Sequence, residues 1–179
     1  MVSSLERQSI SRTITALLFV AEGPVALEQL AKAMEVPVGD VERALDEVGA
    51  WLSDGGLALQ RHGDSVQMVT SAEVAAQVER FLGLDLSSRL SPAALEVLAI
   101  IAYRQPITRA EIEAIRGVNS DGVLRTLTSK GLVGEVARLE QAGRPILYGT
   151  TFEFLQYFGL RQLQDLPALP ERSASAADV

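Results

Sequence analysis

The chain has 179 residues, 47% of them hydrophobic, a net charge of −7 and no cysteine. Its length suits either one domain or two small ones, and the lack of cysteine excludes disulfides, thiolate metal sites and a cysteine nucleophile. The negative charge, most of which lies in residues 1–83, has the wrong sign for a protein whose main task is to neutralise phosphates.

The apolar stretch near the start of the chain is too short to cross a membrane. Residues 14–21 contain Thr15 and fall far short of the ~20 apolar residues that a span needs. The segment also lacks the charged flank and the small-residue cleavage site of a signal peptide. We therefore expect a soluble cytoplasmic protein with no membrane association.

The first half of the chain predicts three helices followed by a β-hairpin. Apolar spacing and glycine or proline punctuation place the helices at residues 10–21, 26–34 and 39–53. The hydrophobic period then changes to two on either side of a turn at residues 62–64, as in a hairpin. Thr70 and Glu73 predict a capping box before a last short helix that ends near Gly83.

The second half repeats this order at a shift of 82 residues. The paired positions are those that a helical core and its turns would need, namely Pro24 with Pro106, Val25 with Ile107, Leu30 with Ile112, Val36 with Val118, Val41 with Val123, and Leu45 with Leu127. The predicted helices cover residues 92–103, 109–116 and 120–130.

Turn and cap residues support the second copy. Ser91 before Pro92 is a good helix start, and Thr108 with Glu111 predicts a capping box. A hairpin turn is predicted at residues 142–145, and Thr150 with Glu153 predicts a second capping box before the last helix.

Three helices with tight turns and a hairpin wing indicate a winged-helix unit, and two copies explain every segment. We expect a mainly α fold with small β-hairpin wings, an α+β fold of tandem winged-helix domains. The predicted parts are a first domain (1–83), a linker (84–90), a second domain (91–160) and a disordered tail (161–179).

The sequence contains few residues in patterns that could support catalysis. His62 is the only histidine and lies in the predicted turn of the first wing, where we expect it to be solvated. The carboxylates of the third helix indicate a solvated face, and the glycines form no phosphate cradle followed by Lys-Ser/Thr. We predict no catalytic residue, no cofactor, no metal site and no small-molecule substrate.

Winged helices commonly read DNA with their third helix, so a DNA-binding transcriptional regulator is the alternative. In the first domain that helix carries Asp40, Glu42, Asp46 and Glu47 against Arg43 and would repel phosphates. In the second domain four basic side chains are compatible with weak phosphate contact or with an acidic protein partner, namely Arg125, Lys130, Arg138 and Arg144.

Three segments carry a resemblance to a known family. Residues 90–108 (LSPAALEVLAIIAYRQPIT), 115–121 (IRGVNSD) and 143–152 (GRPILYGTTF) resemble segregation and condensation protein B, the ScpB family. The likeness is specific over about residues 90–160, whereas residues 10–83 agree in layout more than in sequence.

This resemblance implies a non-catalytic adaptor that acts in chromosome condensation and partition during the cell cycle and cell division. Such a protein is expected to form a homodimer, mostly through its first domain, and to bind the kleisin ScpA and through it an SMC ATPase. The expected localisation is cytoplasmic and nucleoid-associated, with DNA contact indirect or weak.

The candidate contact residues are those whose side chains are not needed for the predicted local structure. For the kleisin they are Arg104, Gln105, Arg116, Asn119, Asp121, Arg125 and Arg144. Asn119 and Asp121 have a second interpretation as caps of the third helix. For dimerisation the candidates are Leu17, Phe19 and Trp51, and Trp51 could equally close the core of its own domain.

Overall fold

The computed structural model describes residues 4–83 and 90–169, with side chains from residue 9 onward. Most of the predicted linker, and residues 170–179 of the predicted tail, lie outside these described residues. Leu90, the last residue of the predicted linker, is buried in the core of the second half.

Each half folds in the order that the sequence predicts. The first contains α1 (Ser4–Val20), β1 (Val25–Ala26), α2 (Leu27–Met34), α3 (Val38–Leu52), β2 (Leu57–His62), β3 (Ser65–Thr70) and α4 (Ala75–Leu82). The second contains α5 (Pro92–Arg104), β4 (Ile107–Thr108), α6 (Arg109–Arg116), α7 (Asp121–Ser129), β5 (Val133–Arg138), β6 (Ile146–Thr150) and α8 (Phe152–Phe158). The α+β prediction is confirmed.

The two sheets have the same topology. Both are antiparallel with the hairpin strand after the turn in the middle, in the orders β1-β3-β2 and β4-β6-β5. The short strands β1 and β4 were not predicted as strands, because two residues are too few to show a period. They attach the start of the second helix to the wing, since Val25 pairs with Val66 and Ile107 pairs with Tyr148.

Each half has its own hydrophobic core. Leu30 and Ile112, which the repeat pairs, are almost fully buried on the second helices, as are Leu45 and Leu127 on the third helices. Burying one such side chain contributes about 1.5–3 kcal/mol. These four paired positions therefore repeat because each copy needs the same core contacts.

The start of α6 is capped as predicted, whereas its counterpart α2 is not. The Thr108 hydroxyl accepts from the Glu111 backbone N–H at 3.3 Å, and the Glu111 carboxylate accepts from the Thr108 backbone at 2.8 Å. The Glu111 carboxylate also accepts from the Thr108 hydroxyl at 2.7 Å, and the two bonds to this carboxylate hold the pKa of Glu111 below its usual value. At the same position before α2, Ala26 offers no side-chain acceptor.

The two other predicted capping boxes are wrong by one residue. The cap of α8 is Thr151, whose hydroxyl accepts from the Phe154 backbone N–H at 3.3 Å, because the Thr150 hydroxyl is bonded to Gln105 instead. In the first half a 3₁₀ turn, Ala72–Val74, precedes α4. Ser71 occupies the cap position of this turn without a side-chain bond, and its hydroxyl is buried without a hydrogen-bond partner among the described residues.

The prediction of a disordered tail from residue 161 is wrong for residues 161–169. Leu163 and Leu166 pack against the core of the second half. The Tyr103 hydroxyl donates to the Pro167 carbonyl at 2.6 Å. The composition of the tail did not predict this contact, because two leucines and one backbone carbonyl are enough to hold a short turn against an existing core.

We predict that Thr108→Ala lowers the free energy of unfolding by about 1 kcal/mol, the usual cost of losing a helix N-cap. Urea denaturation of the purified chain would measure it. The matched control is Thr126→Ala, which removes an exposed mid-helix hydroxyl bonded only to the Gly122 carbonyl. The control should change stability by less than about 0.5 kcal/mol, and an equal loss in both variants would contradict the role of the cap.

Candidate partner-binding surfaces

The turn between α6 and α7 holds several of the predicted contact residues together. Asp121 accepts from Arg109 at 2.9 Å and from Arg125 at 2.8 Å, so one carboxylate joins the start of α6 to the exposed side of α7. The Arg125 side chain is 81% exposed. Its guanidinium group retains donors that face solvent and could bind a carboxylate or backbone carbonyl of a partner.

Arg116 is fixed inside the second domain rather than offered to a partner. Its side chain is only 7% exposed and pairs with Glu96 of α5 at 2.9 Å. A second nitrogen donates to the buried Ser120 hydroxyl at 2.8 Å. Arg116 therefore ties α6 to α5 and to the turn before α7, which is a structural role.

Asn119 lies exposed in the same turn and partly serves as a cap, since its side-chain oxygen accepts from the Asp121 backbone N–H at 3.1 Å. Two apolar neighbours, Ile115 and Val118, are 56% and 55% exposed. We call Ile115, Val118, Asn119, Asp121 and Arg125 the helix-turn surface. An apolar centre beside polar and arginine side chains is the usual composition of a protein interface.

Sequence reasoning missed Ile115 and Val118. The sequence contained a signal for their exposure. Ile112 of α6 lies in the core, whereas Ile115 and Val118 lie on either side of Gly117, the residue at which the helix ends. Val118 was assigned to the core through its pairing with Val36. Val36 is indeed partly buried against the first core, whereas Val118 is not.

The remaining kleisin candidates are spread around the second domain. The Gln105 side chain is used internally, since its oxygen accepts from the Thr150 backbone N–H at 2.7 Å and its nitrogen donates to the Ala102 carbonyl. Arg104 is exposed at the end of α5. Arg144 is exposed in the hairpin turn, where it has a positive φ of 38°.

The basic residues considered for DNA contact are partly neutralised. Arg138 makes two bonds to the Glu135 carboxylate, at 2.6 and 2.9 Å. This pair raises the pKa of Arg138. Arg125 has Asp121 beside it. Both carboxylates would lie next to an approaching phosphate and repel it.

In the first half of the chain, α1 and α3 border an open groove of about 560 Å³. It is lined by Ser11, Arg12, Thr15, Glu47, Val48 and Trp51. Phe19 lies one turn beyond Thr15 on the same face of α1. Trp51 is 67% exposed and Phe19 is 79% exposed, so Trp51 does not close the core. Leu17 is different, because it packs against the first core.

His62 is only partly exposed, whereas the sequence predicts a solvated residue. It is the last residue of β2, and its Nε2 lies 3.2 Å from the Thr150 hydroxyl of the second half. The ring also packs against Phe152, with 5.5 Å between centroids. Sequence alone could not reveal this contact, because it joins the two halves and depends on how they dock.

Within the described ranges, no helix is both long and apolar enough to span a membrane. Across the same residues no cluster of three or more His, Asp or Glu side chains could hold a metal ion.

The comparisons with known proteins agree with the resemblance seen in the sequence. The family model described as "Segregation and condensation complex subunit ScpB" matches residues 12–169. Segregation and condensation protein B from Moorella thermoacetica is 48% identical over 93% of this chain and 86% of its own length. The protein of that name from Desulforamulus reducens is 45% identical, with 93% of each chain covered.

Among solved structures, a crystal structure of ScpB from Mycobacterium tuberculosis is 38% identical in sequence. The match covers 88% of this chain and 99% of that chain, with a TM-score of 0.42. Because the family model spans nearly all the described residues and the sequence relatives cover most of both chains, this chain belongs to the ScpB family of segregation and condensation complex subunits.

Proposed function

We propose that this chain is a non-catalytic adaptor that forms a homodimer through its first domain and binds the kleisin ScpA through its second. Family membership makes it a subunit for chromosome segregation and condensation. We further propose that the kleisin connects this chain to an SMC ATPase, and that the chain is cytoplasmic and nucleoid-associated. The observation that carries the proposal is that each half exposes apolar side chains on a different helical surface.

The first of these surfaces suits a second copy of the chain. Phe19 and Trp51 lie at the groove between α1 and α3, and large exposed aromatic side chains are characteristic of dimer interfaces. In a twofold dimer the same patch of each copy meets its counterpart. Arg12 and Glu47 line the same groove, so the patch carries both signs of charge and can pair with itself.

The helix-turn surface of the second domain suits a segment of kleisin. Ile115 and Val118 supply an apolar centre, and Arg125 supplies a charged donor at its edge. The network of Arg109, Asp121 and Arg125 holds this donor in place before the partner arrives. Such preorganisation reduces the entropy lost on binding.

DNA regulation is the less favoured alternative. In the second domain Arg125 of the third helix and Arg138 of the wing stand beside carboxylates, and α3 of the first domain exposes Glu42, Asp46 and Glu47. These charges oppose phosphate binding. We therefore propose that DNA contact is indirect or weak.

The dimer proposal predicts that Phe19→Glu combined with Trp51→Glu gives a monomer, because two charges would be buried in an apolar contact. Light-scattering chromatography at micromolar concentration would show the mass fall by half. Val136→Glu, which charges an exposed apolar side chain of the second domain, should leave the dimer intact. A wild-type chain that is already monomeric would refute the proposal.

The kleisin proposal predicts that Ile115→Glu combined with Val118→Glu raises the Kd for the kleisin of the same genome at least about tenfold. Side chains at the centre of an interface contribute on the order of 2 kcal/mol or more. Isothermal titration calorimetry would measure the change, with circular dichroism to verify folding. Val136→Glu is again the control and should change the Kd less than twofold; unaltered binding by the double variant would exclude this surface.

A further inference from the structure

Strand β2 lies at the edge of the first sheet, yet its outer edge is covered by the second half of the chain. The Arg61 backbone N–H donates to the Arg161 carbonyl at 2.8 Å. One residue before it, the Gln60 side chain donates to the Leu160 carbonyl at 2.7 Å. Residues 160–162, which follow α8, thus lie along the outer edge of β2.

This contact contains a buried pair of amide side chains. Gln60 and Gln67 are 3% and 9% exposed, and the Gln67 nitrogen donates to the Gln60 oxygen at 3.0 Å. A buried amide without hydrogen-bond partners destabilises the arrangement that buries it. The Leu160 carbonyl supplies the partner for Gln60 in the closed arrangement, and water would supply it if the halves separated.

A second part of the contact surrounds His62. The Thr150 hydroxyl donates to Gln105 at 3.1 Å, so its oxygen is left to accept from the His62 Nε2–H at 3.2 Å. Phe152 covers the ring. His62 is therefore linked to the end of α5 through Thr150 and Gln105.

In the third part of the contact, the end of α8 closely approaches the first half of the chain. Gly159, at the end of α8, faces Ala72 of the first half, and a Cβ added to Gly159 would lie 3.0 Å from the Ala72 Cβ. Gly159 also has a φ of +65°, which favours glycine. A side chain at residue 159 would therefore require Ala72 to move away by a few tenths of an ångström.

We propose that these contacts form a reversible latch that holds the two domains as one body. Apart from Phe152, Gly159 and Ala72, the groups named in these contacts are polar, and water can bond to them when the latch opens. Contacts of this composition are typical of domains that move relative to one another. The latch involves neither the helix-turn surface nor Phe19 and Trp51, so it does not rest on the proposed partners.

Distance measurements between spin labels test the latch in the complete chain. The chain has no cysteine, so Lys32→Cys and Lys130→Cys, both exposed and in different halves, give two unique label sites. Dilution with excess unlabelled chain restricts the signal to pairs within one chain. At pH 7.5 we expect one narrow distance distribution.

Two variants should broaden that distribution. Gln60→Ala removes the bond to Leu160, and Gly159→Ala forces the Ala72 contact apart. The matched control is Gly83→Ala, because Gly83 ends α4 with the same φ of +65° but a Cβ there meets no atom of the described residues within 4 Å. A broad distribution in the wild type or in Gly83→Ala, or a narrow one in either test variant, would overturn the latch.

The latch should also open on acidification. Burial lowers the pKa of His62 from its ordinary value of 6.5, only partly offset by Thr150 and by the Glu153 carboxylate, the charged group of α8 that acts on the ring. When the latch opens, His62 binds a proton at its ordinary pKa. The closed state is therefore fully favoured above about pH 6.5 and loses stability as the pH falls from there toward the lowered pKa.

The same label pair should show a larger open population at pH 5.5 than at pH 7.5. His62→Gln keeps a side-chain donor but cannot titrate, so its distribution should change much less over this range. An equal acid response in wild type and His62→Gln would assign the effect to other groups and refute the role of His62.

Discussion

In each half, the packing of the other elements depends on the burial of one branched side chain on the second helix. Leu30 and Ile112 lie almost fully inside their cores, where the first and third helices and the wing converge. A unit of about 80 residues buries a smaller share of its surface than a larger domain and has few such contacts in reserve. The strands β1 and β4 add a second constraint, because they connect the start of this helix directly to the middle strand of the wing.

Much of this architecture could be read from the sequence, since it depends on local patterns. The Thr108 cap and the proline after Ser91 define helix starts through contacts within four residues, and both were predicted correctly. The assignments that failed depend on distant contacts. Thr150 does not cap α8 because Gln105, which is 45 residues away in sequence, takes its hydroxyl.

The candidate surfaces show the same division. Of the dimerisation candidates predicted from sequence, Phe19 and Trp51 are exposed, whereas Leu17, on the same helix as Phe19, packs against the core. Among the polar candidates, the side chains of Arg116 and Gln105 form hydrogen bonds with other residues of the same chain. A polar residue in a distinctive segment can satisfy a buried neighbour as well as a partner, and the composition of the segment does not separate the two roles.

The two wings resemble one another in topology but protect their outer strands from self-association in different ways. An uncovered strand edge is a template on which another chain can add and begin to aggregate. In the first wing, residues 160–162 occupy that edge. In the second wing β5 has an irregular register between Glu135 and Ala137 and a charged pair, Glu135 with Arg138. Truncating the chain before residue 160 would remove the cover from β2 but not the irregular register of β5, so the aggregation risk of a shortened chain would come from its first half.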